Sequence, residues 1–282
     1  MIKSASICLL NIRKWATNPR IYVIIALLFT ITYHFISSLI PICYHTGYRI
    51  TPWIFPFLMD NSKFQILTIL GVKLLFCDAP FENQMQSYFL IRCNRNQWAI
   101  GHIMYIFLSS LFYLIMVNVF IILILFRVMF VSAEWGKVLS TIAQTNLSST
   151  VNVLYISNKI LSDYTPFKAF FISFFLEWCC CIFIGLLIYI LNSIFNRFIG
   201  VLVASCMVLF DILIDAGLRS FVYHFSPISL ARLSILDQRG LSSYPTLKYA
   251  LISLPLIVII LFIVAVIVTK KKKVLLSTNN LT

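Results

Sequence analysis

The sequence predicts an all-α, polytopic integral membrane protein, one domain over residues 1–282 with six transmembrane helices. Three observations predict it. The chain is 61% hydrophobic and only 11% charged, whereas a soluble domain carries about 25% charged residues. Its apolar residues gather into runs of the ~20 residues that span a bilayer core. The last run ends in Lys270, Lys271, Lys272 and Lys273, a cluster that stays on the cytoplasmic side. No Gly/Ser linker or low-complexity tract divides the chain.

Residues 3–18 come first. Ile7, Leu10 and Lys14, with Cys8, Leu9, Ile12 and Trp15, make a short mixed helix. Lys3, Arg13, Lys14 and Arg20 suit an interfacial elbow helix on the cytoplasmic leaflet, unless the segment is a plain N-terminal extension. Pro19 ends it. The first apolar run is longer than the core of a cleavable signal and lacks a small-x-small site after it, so a signal peptide is not expected.

The expected spans are 21–44, 55–77, 101–126, 167–191, 198–218 and 249–269. In the second, Asp60, Asn61, Ser62 and Lys63 interrupt the apolar run and are read as outer turns, with Lys73 snorkelling at the inner end. The polar stretch 78–97 is cytoplasmic. Residues 127–165 form an outside segment with one or two short amphipathic helices, and residues 219–248 a second outside segment. Both termini are then cytoplasmic, with a positive-inside bias from Lys3, Arg13, Lys14, Arg20, Arg92, Arg95, Arg197 and the terminal lysines.

The net charge of +13 does not point to nucleic acid. The basic residues sit at the ends of apolar runs, not in a stripe interleaved with aromatics, and membrane lipid is the partner they imply. The eight cysteines read as small buried hydrophobes. Cys179, Cys180 and Cys181 are consecutive in an apolar run, and no CxxC pair has metal-ligand spacing. No GxxxxGKS/T loop, HExxH helix or GxSxG elbow is present, so the chain is not expected to be an enzyme or to hold a metal or cofactor.

Acids within spans stand out, because each costs on the order of 2.5–3.5 kcal/mol on insertion scales. Gly200, Ala204, Asp211 and Asp215 share one helical face of the fifth span. Ser173, Glu177, Cys181, Gly185 and Asn192 make a similar face on the fourth. Such faces either line a substrate or ion route or pack helices through polar contacts. In the cytoplasmic stretch, Phe81, Met85, Tyr88 and Phe89 form an apolar face beside the polar Glu82, Gln86, Arg92 and Arg95. That pattern suits a helix under the membrane that offers charges to a cytosolic partner, or else an interfacial anchor.

The span-two exit LLFCDAPFEN (74–83), the YFLIRCNRNQWAIGH that follows (88–102) and the outer FSPISLARL (225–233) resemble the membrane subunit of an ABC exporter of the type-two permease family, as in low-GC Gram-positive bacteria. The resemblance spans nearly the whole chain as architecture. It implies an elbow helix, six spans, a coupling helix between spans two and three, and a re-entrant outer segment before span six. It also implies that a separate ATPase subunit binds ATP and receives residues 81–95, the docking positions being Phe81, Glu82, Gln86, Tyr88, Arg92 and Arg95. A second permease subunit would pair with this one in the plasma membrane, with spans two and five bordering a route for a hydrophobic or peptide-like substrate. Family coupling helices often carry glycine after the acid, where Glu82 is followed here by Asn83 and Gln84. Two other classes share the apolar spans: a membrane immunity or structural protein that binds a peptide without moving it, and a secondary transporter that uses Glu177, Asp211 and Asp215.

Overall fold

The computed structural model describes residues 2–81, 95–145, 154–195, 198–238, 240 and 242–271. It is all-helical, and among the described residues the only β pairing is two isolated bridges, Ile50 to Met129 and Asp237 to Thr246. In chain order the α-helices are α1 (Ile2–Arg13), α2 (Pro19–Ile36), α3 (Leu39–Thr46), α4 (Phe55–Asp60), α5 (Ser62–Phe76), α6 (Arg95–Leu125), α7 (Lys137–Thr145), α8 (Asn158–Asp163), α9 (Pro166–Ile194), α10 (Ile199–Asp215) and α11 (Leu247–Lys271). Short 3₁₀ turns occupy Ser220–Phe225 and Ser229–Ala231.

Four stretches are long and apolar enough to cross a membrane: Pro19–Thr46 (α2 with α3), Asn96–Leu125, Pro166–Ile194 and Leu247–Lys270. The other two expected spans take a different form. Residues 55–77 break at Asn61, whose extended backbone stops α4 while its side chain accepts from Lys63 N and Phe64 N to cap α5. The polar residues that interrupt the apolar run thus end one helix and start the next. α5 alone has 15 residues, about 22 Å of rise against a ~30 Å hydrocarbon core. α10 has 17 residues. The segment 127–165 holds two short helices, α7 and α8, as expected.

Contacts fix the directions of the long helices. At the near end, where α2 begins, Arg20 meets Asp78 after α5 at 2.5 Å, and Trp15 Nε1 donates to Tyr105 of α6 at 2.9 Å. At the same end Tyr189 of α9 bonds Thr269 of α11 at 3.1 Å. At the far end, Ile50 after α3 pairs with Val128 and Phe130 after α6, and Trp53 before α4 donates to Ser132 O at 2.6 Å. Asp60 of α4 accepts from Ser234 N at 2.9 Å. Hence α2, α6 and α10 run one way, and α5, α9 and α11 run back.

α9 is the hub. It packs on α4, α5, α6, α10 and α11, and 72% of its most apolar window is buried, against 17% for α11. Its hydrophobicity is not confined to one side, as expected of a helix surrounded by others. The outer helices leave large apolar side chains exposed, among them Leu27, Phe29, Leu123, Leu202, Leu213, Ile252 and Ile259. In a water-soluble domain such a surface would aggregate; against lipid tails it is the stable one.

α1 does more than lie alongside. Its buried face is Ser4, Ile7, Cys8 and Asn11, while Leu9 and Leu10 are exposed, so two of the apolar residues of the mixed helix stay outside. The cause is a close approach to α6 at Gly101, where a Cβ would stand 2.8 Å from Ile7 Cβ and 2.9 Å from Ser4 O. The contact brings Asn11 Nδ2 to His102 Nδ1 at 3.1 Å, and Lys14 Nζ donates to Asn11 Oδ1 at 2.9 Å. Replacing Gly101 by Leu should lift α1 off α6 and lower stability by about 1–3 kcal/mol, the usual cost of overpacking. Thermal unfolding in detergent checks it; an unchanged midpoint would mean that α1 is not held there.

Candidate functional site

The described residues bring three of the four acidic and small-residue candidates together, through partners that the sequence alone did not single out. After α10 the chain folds back over the far end of the bundle, and Arg232 enters it with its side chain 3% exposed. Arg232 Nε donates to Gln65 Oε1 of α5 at 2.6 Å, one terminal nitrogen donates to Asp215 Oδ2 at 2.6 Å, and the other to Asp211 Oδ2. The planar guanidinium supplies these donors in fixed directions, which lysine could not.

Each neighbour then finds further partners. Asp211 Oδ1 accepts from the hydroxyls of Ser226, at 2.9 Å, and Ser229. Ser226 Oγ in turn accepts from Ser229 N at 3.2 Å, which fixes the turn that carries both hydroxyls. Gln65 uses its amide nitrogen twice, donating to Glu177 Oε2 of α9 and to Ile228 O, both at 3.0 Å. With its oxygen accepting from Arg232, the Gln65 amide makes three hydrogen bonds, using both of its donors. Glu177 is completely buried, and its Oε1 has no hydrogen-bond partner among the described residues. The network therefore ties α5, α9, α10 and the folded-back segment through one guanidinium, one amide and three carboxyls.

The positions within the fold explain the chemistry. Asp211 lies on the buried face of α10 with Gly200, Ala204 and Val208, as the i, i+4, i+7 pattern predicts. Asp215 is at the exposed end of α10 and reaches inward, its side chain 25% exposed. A buried carboxylate needs a paired charge and hydrogen-bond donors to be stable, and Asp211 has the Arg232 guanidinium and two hydroxyls. The folded-back segment is held from the other side as well: Lys159 of α8 donates to Ser234 O at 2.6 Å, next to the Asp60–Ser234 bond.

Gly200 is not part of this cluster. It sits 11 residues earlier on α10, about 16 Å away along the axis, in a second polar contact at the near end. There Asn192 Nδ2 donates to Ala79 O at 2.9 Å, and Asn192 Oδ1 accepts from Gly200 N at 2.8 Å. A Cβ on residue 200 would fall 2.5 Å from Asn192 Oδ1 and 2.7 Å from Ile188 O, so glycine is what lets α10 begin against α9. On α9, Ser173, Glu177, Cys181, Gly185 and Asn192 are all buried, so the face they share points into the bundle.

Of the expected docking positions, Phe81 packs on α6 and not away from the bundle: its ring stacks on His102 at 5.7 Å and meets Tyr105 edge-on at 4.8 Å. Arg95 opens α6. Glu82, Gln86, Tyr88, Arg92 and the Arg95 side chain lie outside the described residues. Among the described residues no group of three His, Cys, Asp or Glu side chains is arranged to hold a metal. No protein-family model matches the chain, and no curated protein or solved structure matches it either.

Arg232 and Gln65 were the partners to be found. The signal for Arg232 was a lone cation within the apolar FSPISLARL, and for Gln65 a lone amide in the apolar interior of α5. Arg232→Met should lower stability by about 3–5 kcal/mol, because it strands Asp211 as an unpaired buried charge. Adding Asp211→Leu to Arg232→Met should recover much of that loss. Unfolding in detergent for both variants checks the pairing; a double variant no more stable than the single one would remove it.

Proposed function

We propose that the chain is the membrane subunit of an ATP-driven exporter of the ABC class, crossing the plasma membrane six times with both termini in the cytoplasm. α2 with α3, α4 with α5, α6, α9, α10 and α11 are the six crossings, α1 is the elbow, and residues 81–95 are the coupling segment that meets a separate ATPase subunit. A second permease subunit completes the route, and the cargo is hydrophobic or peptide-like. The observation that carries this reading is the fold-back of residues 220–236, with Arg232 seated between α5 and α10. A re-entrant outer segment before the last crossing is what the resemblance implies. The alternating directions of the six rods and the lipid-suited surface support it too.

Mechanistically, the Arg232 network would hold α10 to α5 in one state of the cycle. ATP in the partner can drive a change only if the ATPase binds the two states with different affinity. A network with one cation and several acids at the far end would add a preference for one of them. The excess of carboxyls over cations there also favours a second reading, a secondary transporter that exchanges protons at Glu177 and Asp211.

Purification of the tagged chain in mild detergent should bring down a subunit that hydrolyses ATP, and charge reversal at Glu82 or Arg92 should lower that yield and transport without affecting membrane insertion. Full transport by both variants would remove residues 81–95 as the coupler. Transport that follows a proton gradient in vesicles without ATP would replace the exporter by the second reading.

A further inference from the structure

A lateral groove lies between α2, α5 and α10, and none of its lining residues belongs to the Arg232 network. It encloses about 390 Å³, within the range of sites that hold a small ligand. Its wall is apolar: Ile24, Leu28 and Ile31 from α2, and Leu67, Leu70 and Leu74 from α5. The single charged group in that lining is Lys73, 7% exposed. Lys73 does not snorkel out of the bundle. Its Nζ donates to Ser205 Oγ of α10 at 2.6 Å, and Ser205 spends its own hydrogen on Val201 O at 2.8 Å. Among the described residues Lys73 forms no ion pair with a carboxylate.

A buried ammonium with one neutral partner is costly, and an anion beside it would offset the cost. The groove also has a direction. Along α5 and the Cys77 that caps it, the groove runs from Leu67 to Cys77, about 15 Å, with Lys73 about 6 Å from the Cys77 end. With the charge off-centre, the longer apolar stretch runs toward Leu67, as an acidic head and an apolar tail need. Leu27, Leu70 and Leu74 are exposed at its mouth, so an occupant would enter sideways from the bilayer.

We propose that this groove binds an anionic membrane amphiphile, its acidic head on Lys73 and its acyl chain along α2 and α5. The site requires no ATPase, and it stands or falls separately from the exporter reading.

The test uses the full chain, purified without any partner and offered equimolar oleate and oleyl alcohol, with the adducts counted by native mass spectrometry. Wild type should favour oleate by about tenfold, the scale of one charge-assisted hydrogen bond. Lys73→Gln should bring the ratio near one, and Lys73→Arg should keep the preference. Lys63→Gln, which removes an exposed cation on the same helix, should leave the ratio unchanged. Leu70→Trp, filling the trough, should reduce both adducts. A wild-type ratio near one, or an oleate preference that survives Lys73→Gln, would overturn the proposal. A chain that forms dimers and takes up neither probe would assign the groove to a second copy and overturn it as well.

Discussion

The segment that folds back over the far end of this bundle is seated by one guanidinium. Arg232 cannot shed its charge, so once the chain after α10 turns inward it must meet acids and acceptors or not enter at all. Asp211 and Asp215 supply the acids, one turn apart on α10, and Gln65 supplies the acceptor from α5. The same three contacts then determine where the Ser226–Ser229 turn sits and how Ile228 O reaches α5. Hydrophobic packing is not directional and would tolerate several seatings of a segment as apolar as FSPISLARL. The ion pairs select one. Desolvation keeps the net stability of such buried pairs modest.

α9 supplies the other constraint. Five helices pack on it, its exposed apolar side chains lie toward its ends (Phe167, Phe171, Phe175 and Ile194), and its polar residues serve as local anchors at two heights. Glu177 receives Gln65 toward one end, and Asn192 joins Ala79 to Gly200 toward the other. The three consecutive cysteines between them are buried thiols, free of disulfides, as their position in an apolar run suggests.

Much of the fold was legible because it follows from hydropathy alone: the all-α class, the long apolar helices, the pair of short helices in 127–165, and the buried face of α10. Side-chain hydrogen bonding was not. Asn61 looked like a polar residue tolerated in an outer turn, yet its amide oxygen can accept from two backbone nitrogens, which ends one helix and starts another. Ile7 and Cys8 were recognisable as apolar, but not that Gly101 admits them while Leu10 stays out. At the candidate site the acids announced themselves by their insertion cost, whereas Arg232 lay in a connecting segment read as outside the bundle. A residue brought inward by a chain reversal leaves no periodic trace, since its neighbours in space lie 17, 21 and 167 positions away.

α10 is tethered at its first residues by Asn192 and at its last by Arg232, while its exposed flank carries Leu202, Leu209, Ile212 and Leu213. While both tips are fastened, α10 does not swing outward like a gate. The motion left to it is a twist about its own long axis, and the side chains halfway along, Ser205 and Val208, would travel farthest from the neighbours they now touch.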